Sequence, residues 1–149
     1  MNLPEGWYAI MSSDELTPYK PVGIRRLAES LVVWRSEDGS PVAMRDLCPH
    51  RSAKLSLGKV AGDRIQCPFH GFEFDTKGSC VHVPETGKAA ENLRVDSFFL
   101  KEVNDLIWLW HGEGEPSGLP PWFAEIDSER GMVYGQFTDT WPCHITRCV

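Results

Sequence analysis

Two short blocks, each with one cysteine and one histidine, constrain this chain more than any other feature. The first reads Cys48-Pro49-His50-Arg51 and the second Cys67-Pro68-Phe69-His70-Gly71, and sixteen residues, Arg51 to Gln66, separate His50 from Cys67. Taken singly, a cysteine is usually an inert core residue and a histidine a solvated one. Four at this spacing call for a shared role. A structural zinc ion would take two Cys and two His, but zinc modules group them as C-x₂₋₄-C … H-x₃₋₅-H. The alternating order C-x-H … C-x-x-H fits that poorly. It fits a [2Fe–2S] cluster in which two thiolates hold one iron and two imidazoles the other. One ligand of each kind per block lets two loop tips close on the cluster from opposite sides. Pro49 and Pro68 stiffen the loops by fixing φ and removing a donor, and Gly71 permits close backbone approach after the second histidine.

The rest of the composition sets outer bounds. A chain of 149 residues is long enough for a buried core, and length alone suggests one domain. Hydrophobic content of 42% and charged content of 24% describe a globular chain rather than a disordered one. The net charge is -6 and no Lys/Arg run exists, which argues against nucleic acid or an anionic membrane surface as a partner. The start, Met1-Asn2-Leu3-Pro4-Glu5, has neither the basic nor the apolar region of a signal peptide. No apolar run reaches the ~18 residues of a membrane span. The cysteines are Cys48, Cys67, Cys80, Cys143 and Cys148. The three outside the blocks are scattered and odd in number, unlike a disulfide framework, so a reducing cytoplasm is the expected location.

Along the chain, short strands are expected at 6–12, 22–27, 31–35 and 41–45, with an Asp38-Gly39 hairpin turn before the last. Residues 58–63 read as a turn and Arg64-Ile65-Gln66 as a short strand into Cys67. Phe72-Glu73-Phe74-Asp75 and Cys80-Val81-His82-Val83 alternate as half-buried strands do. A last hairpin joins 98–103 to 106–110 through Asn104-Asp105. Trp7 and Trp34 read as core aromatics. No segment shows sustained helical periodicity, so the fold expected is an all-β sandwich or barrel. Residues 112–121, Gly-Glu-Gly-Glu-Pro-Ser-Gly-Leu-Pro-Pro, break all periodicity and mark a boundary. Beyond it, a helical turn over Trp122–Ile126 and a strand over Met132–Thr140 are expected.

The pattern C-P-H-R … C-P-F-H-G-F resembles the Rieske iron–sulfur family. Gly6-Trp7-Tyr8, Leu31-Val32-Val33-Trp34-Arg35 and the run Ile65 to Pro84 narrow the likeness to the N-terminal part of Rieske non-haem iron oxygenase α-subunits, over roughly residues 5–112. The resemblance implies an antiparallel β structure of three small sheets with a cluster-binding subdomain. It implies Cys48, His50, Cys67 and His70 as ligands of a Rieske [2Fe–2S] cluster. Residues 1–112 would be that domain, and 113–149 a linker and the truncated start of a catalytic-type domain, with Ile145-Thr146-Arg147 as its lead-in. A reductase or ferredoxin would reduce the cluster, and His50 or His70 would pass the electron toward a mononuclear Fe(II) in the missing domain of a trimeric full-length enzyme. Arg51 would meet a partner carboxylate or close a salt bridge within its loop. Phe69 and Phe72 would shield the cluster.

Residues that are absent refine this reading. The respiratory type braces its loops with a disulfide, for which these two loops carry no further cysteine, and follows its second histidine with a serine whose hydroxyl donates to a cluster sulfide. Here Gly71-Phe72 follows. Fewer hydrogen bonds to sulfur stabilise the reduced cluster less and lower its potential, as suits an oxygenase. The remaining histidines, His82, His111 and His144, offer no two-His-one-carboxylate motif, so no catalytic residue is assigned. A stand-alone Rieske ferredoxin is the alternative. It resembles the first hundred-odd residues alone, and the tail beyond 113 argues for the oxygenase.

Overall fold

The computed structural model describes residues 3–122, together with Gly135 and Asp139. Among these, twelve strands follow in order: β1 (Gly6–Ser12), β2 (Val22–Arg26), β3 (Glu29–Arg35), β4 (Pro41–Arg45), β5 (Lys59–Ala61), β6 (Arg64–Gln66), β7 (Glu73–Asp75), β8 (Ser79–Val83), β9 (Lys88–Arg94), β10 (Ser97–Phe98), β11 (Leu100–Val103) and β12 (Leu106–His111). Single 3-10 turns occur at Ser13–Glu15 and Leu55–Leu57. The strands make three antiparallel sheets, ordered β1-β12-β11, β10-β4-β3-β2 and β5-β6-β7-β8-β9. The expected all-β fold of three small sheets is what forms.

Strand β3 shows why the layers stack as they do. Leu31, Val32, Val33 and Trp34 are all at most 1% exposed. Side chains alternate across a strand, so Val32 and Trp34 enter one core with Met44, Ile65 and Phe74. Leu31 and Val33 enter another with Ile10, Ala43, Ile107 and Leu109. The middle sheet is therefore buried on both faces, and its central strand reads as a continuous apolar run. The five-stranded sheet covers one face and the β1-β12-β11 sheet the other. A register shift between Ala9 and Met11 in β1 lets the consecutive residues Ile10 and Met11 both enter the second core.

Several boundaries differ from the sequence expectation. The stretch 58–63 contains β5, which pairs with β6 around Gly62 at φ +59°. Strand β9 carries Lys-Ala-Ala-Glu-Asn-Leu-Arg, mostly exposed and without two-residue alternation, so nothing local announces it. The expected strand 98–103 is broken at Phe99, which is exposed. Before the break β10 pairs with β4, and after it β11 pairs with β12, so the chain changes sheets there. Leu27 and Ala28 form a two-residue turn at φ +51° and +66° without the usual Gly or Asn. Trp34 is a core aromatic as expected, whereas Trp7 is half-buried and meets Trp110 edge-on at 5.5 Å. Residues 112–122 carry neither strand nor helix. The expected helical turn at Trp122–Ile126 and strand at Met132–Thr140 fall almost wholly outside the described residues, as do Cys143, His144 and Cys148.

One polar junction ties the sheets. At the end of β3, Arg35 donates to both carboxylate oxygens of Glu102 in β11, at 2.7 and 3.0 Å. It also donates to the carbonyls of Leu16, Ser13 and Gly39. The Arg35 guanidinium holds the Glu102 carboxyl below its usual range. A carboxyl lowered on folding contributes stability above its unfolded pKa of about 4.5, and loses it as pH falls through the folded value. Glu102→Gln is thus expected to cost about 1 kcal/mol at pH 7 and less below pH 4. Denaturant melts across that range check it, and a pH-independent difference between variant and parent would contradict it.

Candidate metal centre

Strands β4 and β10 are neighbours in the middle sheet, yet residues 46–96 lie between them in sequence. The five-stranded sheet is therefore an excursion from one sheet edge. Its neck is held where Arg45 N–H donates to the Asp96 carbonyl at 2.9 Å and Asp46 N–H to the Ser30 carbonyl at 2.9 Å. The two Cys-His blocks are loops of this excursion, and their backbones are twins. In the first, Cys48 N–H donates to Ala53 O at 2.8 Å and Ser52 N–H to Cys48 O at 2.8 Å. In the second, Cys67 N–H donates to Phe72 O at 2.8 Å and Gly71 N–H to Cys67 O at 3.1 Å. Each loop is closed by a residue of positive φ four places after its cysteine, Ser52 at +55° and Gly71 at +72°. Only the histidine differs, standing two places after Cys48 and three after Cys67. Gly71 also packs against Pro84, where a Cβ would come within 3.0 Å of the proline ring.

The loops bring the four side chains together as two like pairs. The thiols of Cys48 and Cys67 are buried, and that of Cys48 is pushed up to about 11, chiefly by burial and further by the neighbouring Cys67. The backbone N–H groups of His50 and Arg51 act the other way, donating to the Cys48 sulfur. The rings of His50 and His70 meet at 4.8 Å between centroids. Nδ1 of His50 is buried without a hydrogen-bond partner. A buried orphan nitrogen and two crowded thiols are unfavourable by themselves. A cation satisfies both, taking the nitrogen lone pair and stabilising thiolates. Among the described residues no three metal-binding side chains converge on one point. Like pairing suits a two-iron cluster, with one iron for each pair.

Other residues take parts that sequence reading assigned differently or missed. Asp46, buried just before the first loop, accepts from Ser56 N–H and Ser56 Oγ, both at 2.7 Å, and so pins the two ends of that loop. The one available signal was a lone aspartate in a segment running into the core. Phe72 is 4% exposed and stacks on His50, as a shield would, whereas Phe69 is 61% exposed and lies beside His70. Arg51 is exposed. Cys80 lies buried in the same core, its thiol raised by burial. His82 and His111 are half-buried on β8 and β12, in different sheets.

With the site described, the class follows. The family model described as Rieske [2Fe-2S] domain matches residues 6–102. The chain belongs to that family, and its cofactor is a Rieske [2Fe–2S] cluster. It is similar to the oxygenase component of dicamba O-demethylase from Stenotrophomonas maltophilia, 39% identical over 133 residues, covering 87% of this chain and 39% of that protein. It is also similar to methylxanthine N1-demethylase NdmA of Pseudomonas putida, 42% identical over 142 residues, covering 91% and 40% respectively. A crystal structure of dicamba monooxygenase bound to dicamba superposes with TM-score 0.73 at 39% identity, over 82% of this chain and 37% of that one. The chain thus spans about two fifths of the length of these relatives or less. No helix among the described residues is long and apolar enough to cross a membrane.

Proposed function

We propose that residues 1–112 are the electron-relay domain of a Rieske oxygenase component, and that 113–149 lead toward a catalytic domain. Cys48 and Cys67 hold one iron of the cluster and His50 and His70 the other. The bound cluster supplies one-electron redox chemistry between the two loops. The observation that carries this reading is the like pairing of thiols and imidazoles, with a buried His50 Nδ1 that lacks a partner. The chain's own residues do the rest. Burial of Cys48, Cys67 and Phe72 keeps water from the sulfurs, and backbone N–H groups from His50 and Arg51 favour negative charge on Cys48. Exposed Phe69 beside His70, and exposed Arg51, form the face offered to partners.

The full protein would take electrons from a reductase or ferredoxin and pass them to a mononuclear Fe(II) outside these residues. It would work as a homo-oligomer, a trimer, in the cytoplasm. Similarity to oxygenase components favours this over a stand-alone carrier. Protein prepared anaerobically is expected to be brown and to contain about two iron and two acid-labile sulfides per chain. Zinc without sulfide would overturn the ligand assignment.

A further inference from the structure

Phe72 belongs to both cluster loops at once. Its backbone carbonyl accepts from Cys67 N–H at 2.8 Å, which makes it part of the second loop. Its ring stacks on His50 of the first loop, with centroids 4.6 Å apart and planes 27° apart. The side chain is 4% exposed, so that contact sits within the packed core. The torsion that turns an imidazole about its own axis is soft and roughly two-fold. Left alone, a histidine swings, and a half-turn puts Cδ2 where Nδ1 stood. A flat ring packed on its face stops both motions, because the imidazole would have to pass through an upright orientation that the stack occupies. Among the described residues His70 has no such partner: Phe69 lies 4.0 Å away but tilted at 41°, and is 61% exposed.

We propose that Phe72 is the brace between the two loops, a positioning residue that fixes the ring plane of His50 and keeps its buried Nδ1 in place. It does by stacking what an inter-loop disulfide does in the respiratory type, for which these two loops carry no further cysteine. The proposal rests on the reading that the four-residue set holds the cluster.

The test uses the 149-residue protein with its cluster, as parent, Phe72→Leu, Phe72→Tyr and Phe74→Leu. Phe74 is a fully buried core neighbour on β7 with no ring contact to either histidine, so it reports on loss of packing alone. Two properties are read: the rate of cluster bleaching by a ferrous chelator, and the EPR and nitrogen ENDOR spectra of the reduced protein. Phe72→Leu is expected to bleach about 10-fold faster and to show altered histidine nitrogen couplings. Phe72→Tyr keeps the stack and is expected to match the parent. Phe74→Leu is expected to unfold more easily but to keep the parent spectrum and bleaching rate. If Phe72→Leu does not fold, Phe72→Met, which fills the space without a ring, takes its place with the same expectations. Parent-like spectra and bleaching in the Leu or Met variant would overturn the brace, as would the same fast bleaching and altered couplings in Phe74→Leu. A parent protein with no iron–sulfur EPR signal on reduction would instead overturn the ligand assignment, and the brace with it.

Discussion

Gly58→Ala is expected to cost at least about 4 kcal/mol of stability and most of the cluster content. Gly58 follows the 3-10 turn that ends the first loop, and its φ of -88° is open to any residue. The obstacle is purely steric. A Cβ there would lie on the backbone carbonyl oxygen of Gln66, far inside van der Waals contact, and 3.0 Å from the carbonyl of Leu55. Both neighbours are backbone, so no side chain can swing away. Gln66 immediately precedes Cys67, and β5 and β6 begin their ladder at Lys59 opposite Gln66. This close approach is where the strand after the first block meets the strand into the second. Forcing it apart displaces Cys67 relative to Cys48. Denaturant midpoints and iron content of the purified variant decide the matter. A variant within 1 kcal/mol of the parent and fully loaded with iron would show that the contact relaxes easily.

Asp46→Ala comes next, with an expected loss of roughly 3 kcal/mol and a fall of about 10 °C in melting temperature. Its carboxylate is 6% exposed and accepts two hydrogen bonds at 2.7 Å, both from Ser56. Alanine would leave an N–H and a hydroxyl partly buried without that acceptor, and would free the two ends of the first cluster loop. Asp46→Asn keeps one acceptor oxygen and is expected to lose about half as much. Gly23 on β2 makes room for this clasp, since a Cβ there would come within 2.7 Å of Ser56 Oγ. Calorimetry of both variants tests the ranking. Equal losses for Ala and Asn would mean that charge, rather than the pair of hydrogen bonds, holds the loop.

The four proposed ligands were legible in the chain because their chemistry is local. Cys48, His50, Cys67 and His70 lie within two short segments, and their types and spacing restrict the cofactor before any fold is considered. Strands such as β3 and β12 were legible for a similar reason, since burial on a sheet face leaves a pattern in consecutive residues. Tertiary structure decided the remainder. Strand β9 exists because β8 offers it an edge, and its own residues show no alternation. The crossing at Phe99 depends on β4 and β12 lying on different layers, which residues 98–103 cannot encode among themselves. The clasp of Asp46 on Ser56 and the stack of Phe72 on His50 join residues 10 and 22 positions apart. Such pairs acquire meaning only when the loops fold back on each other, because a hydrogen bond or a ring stack is set by distance in space.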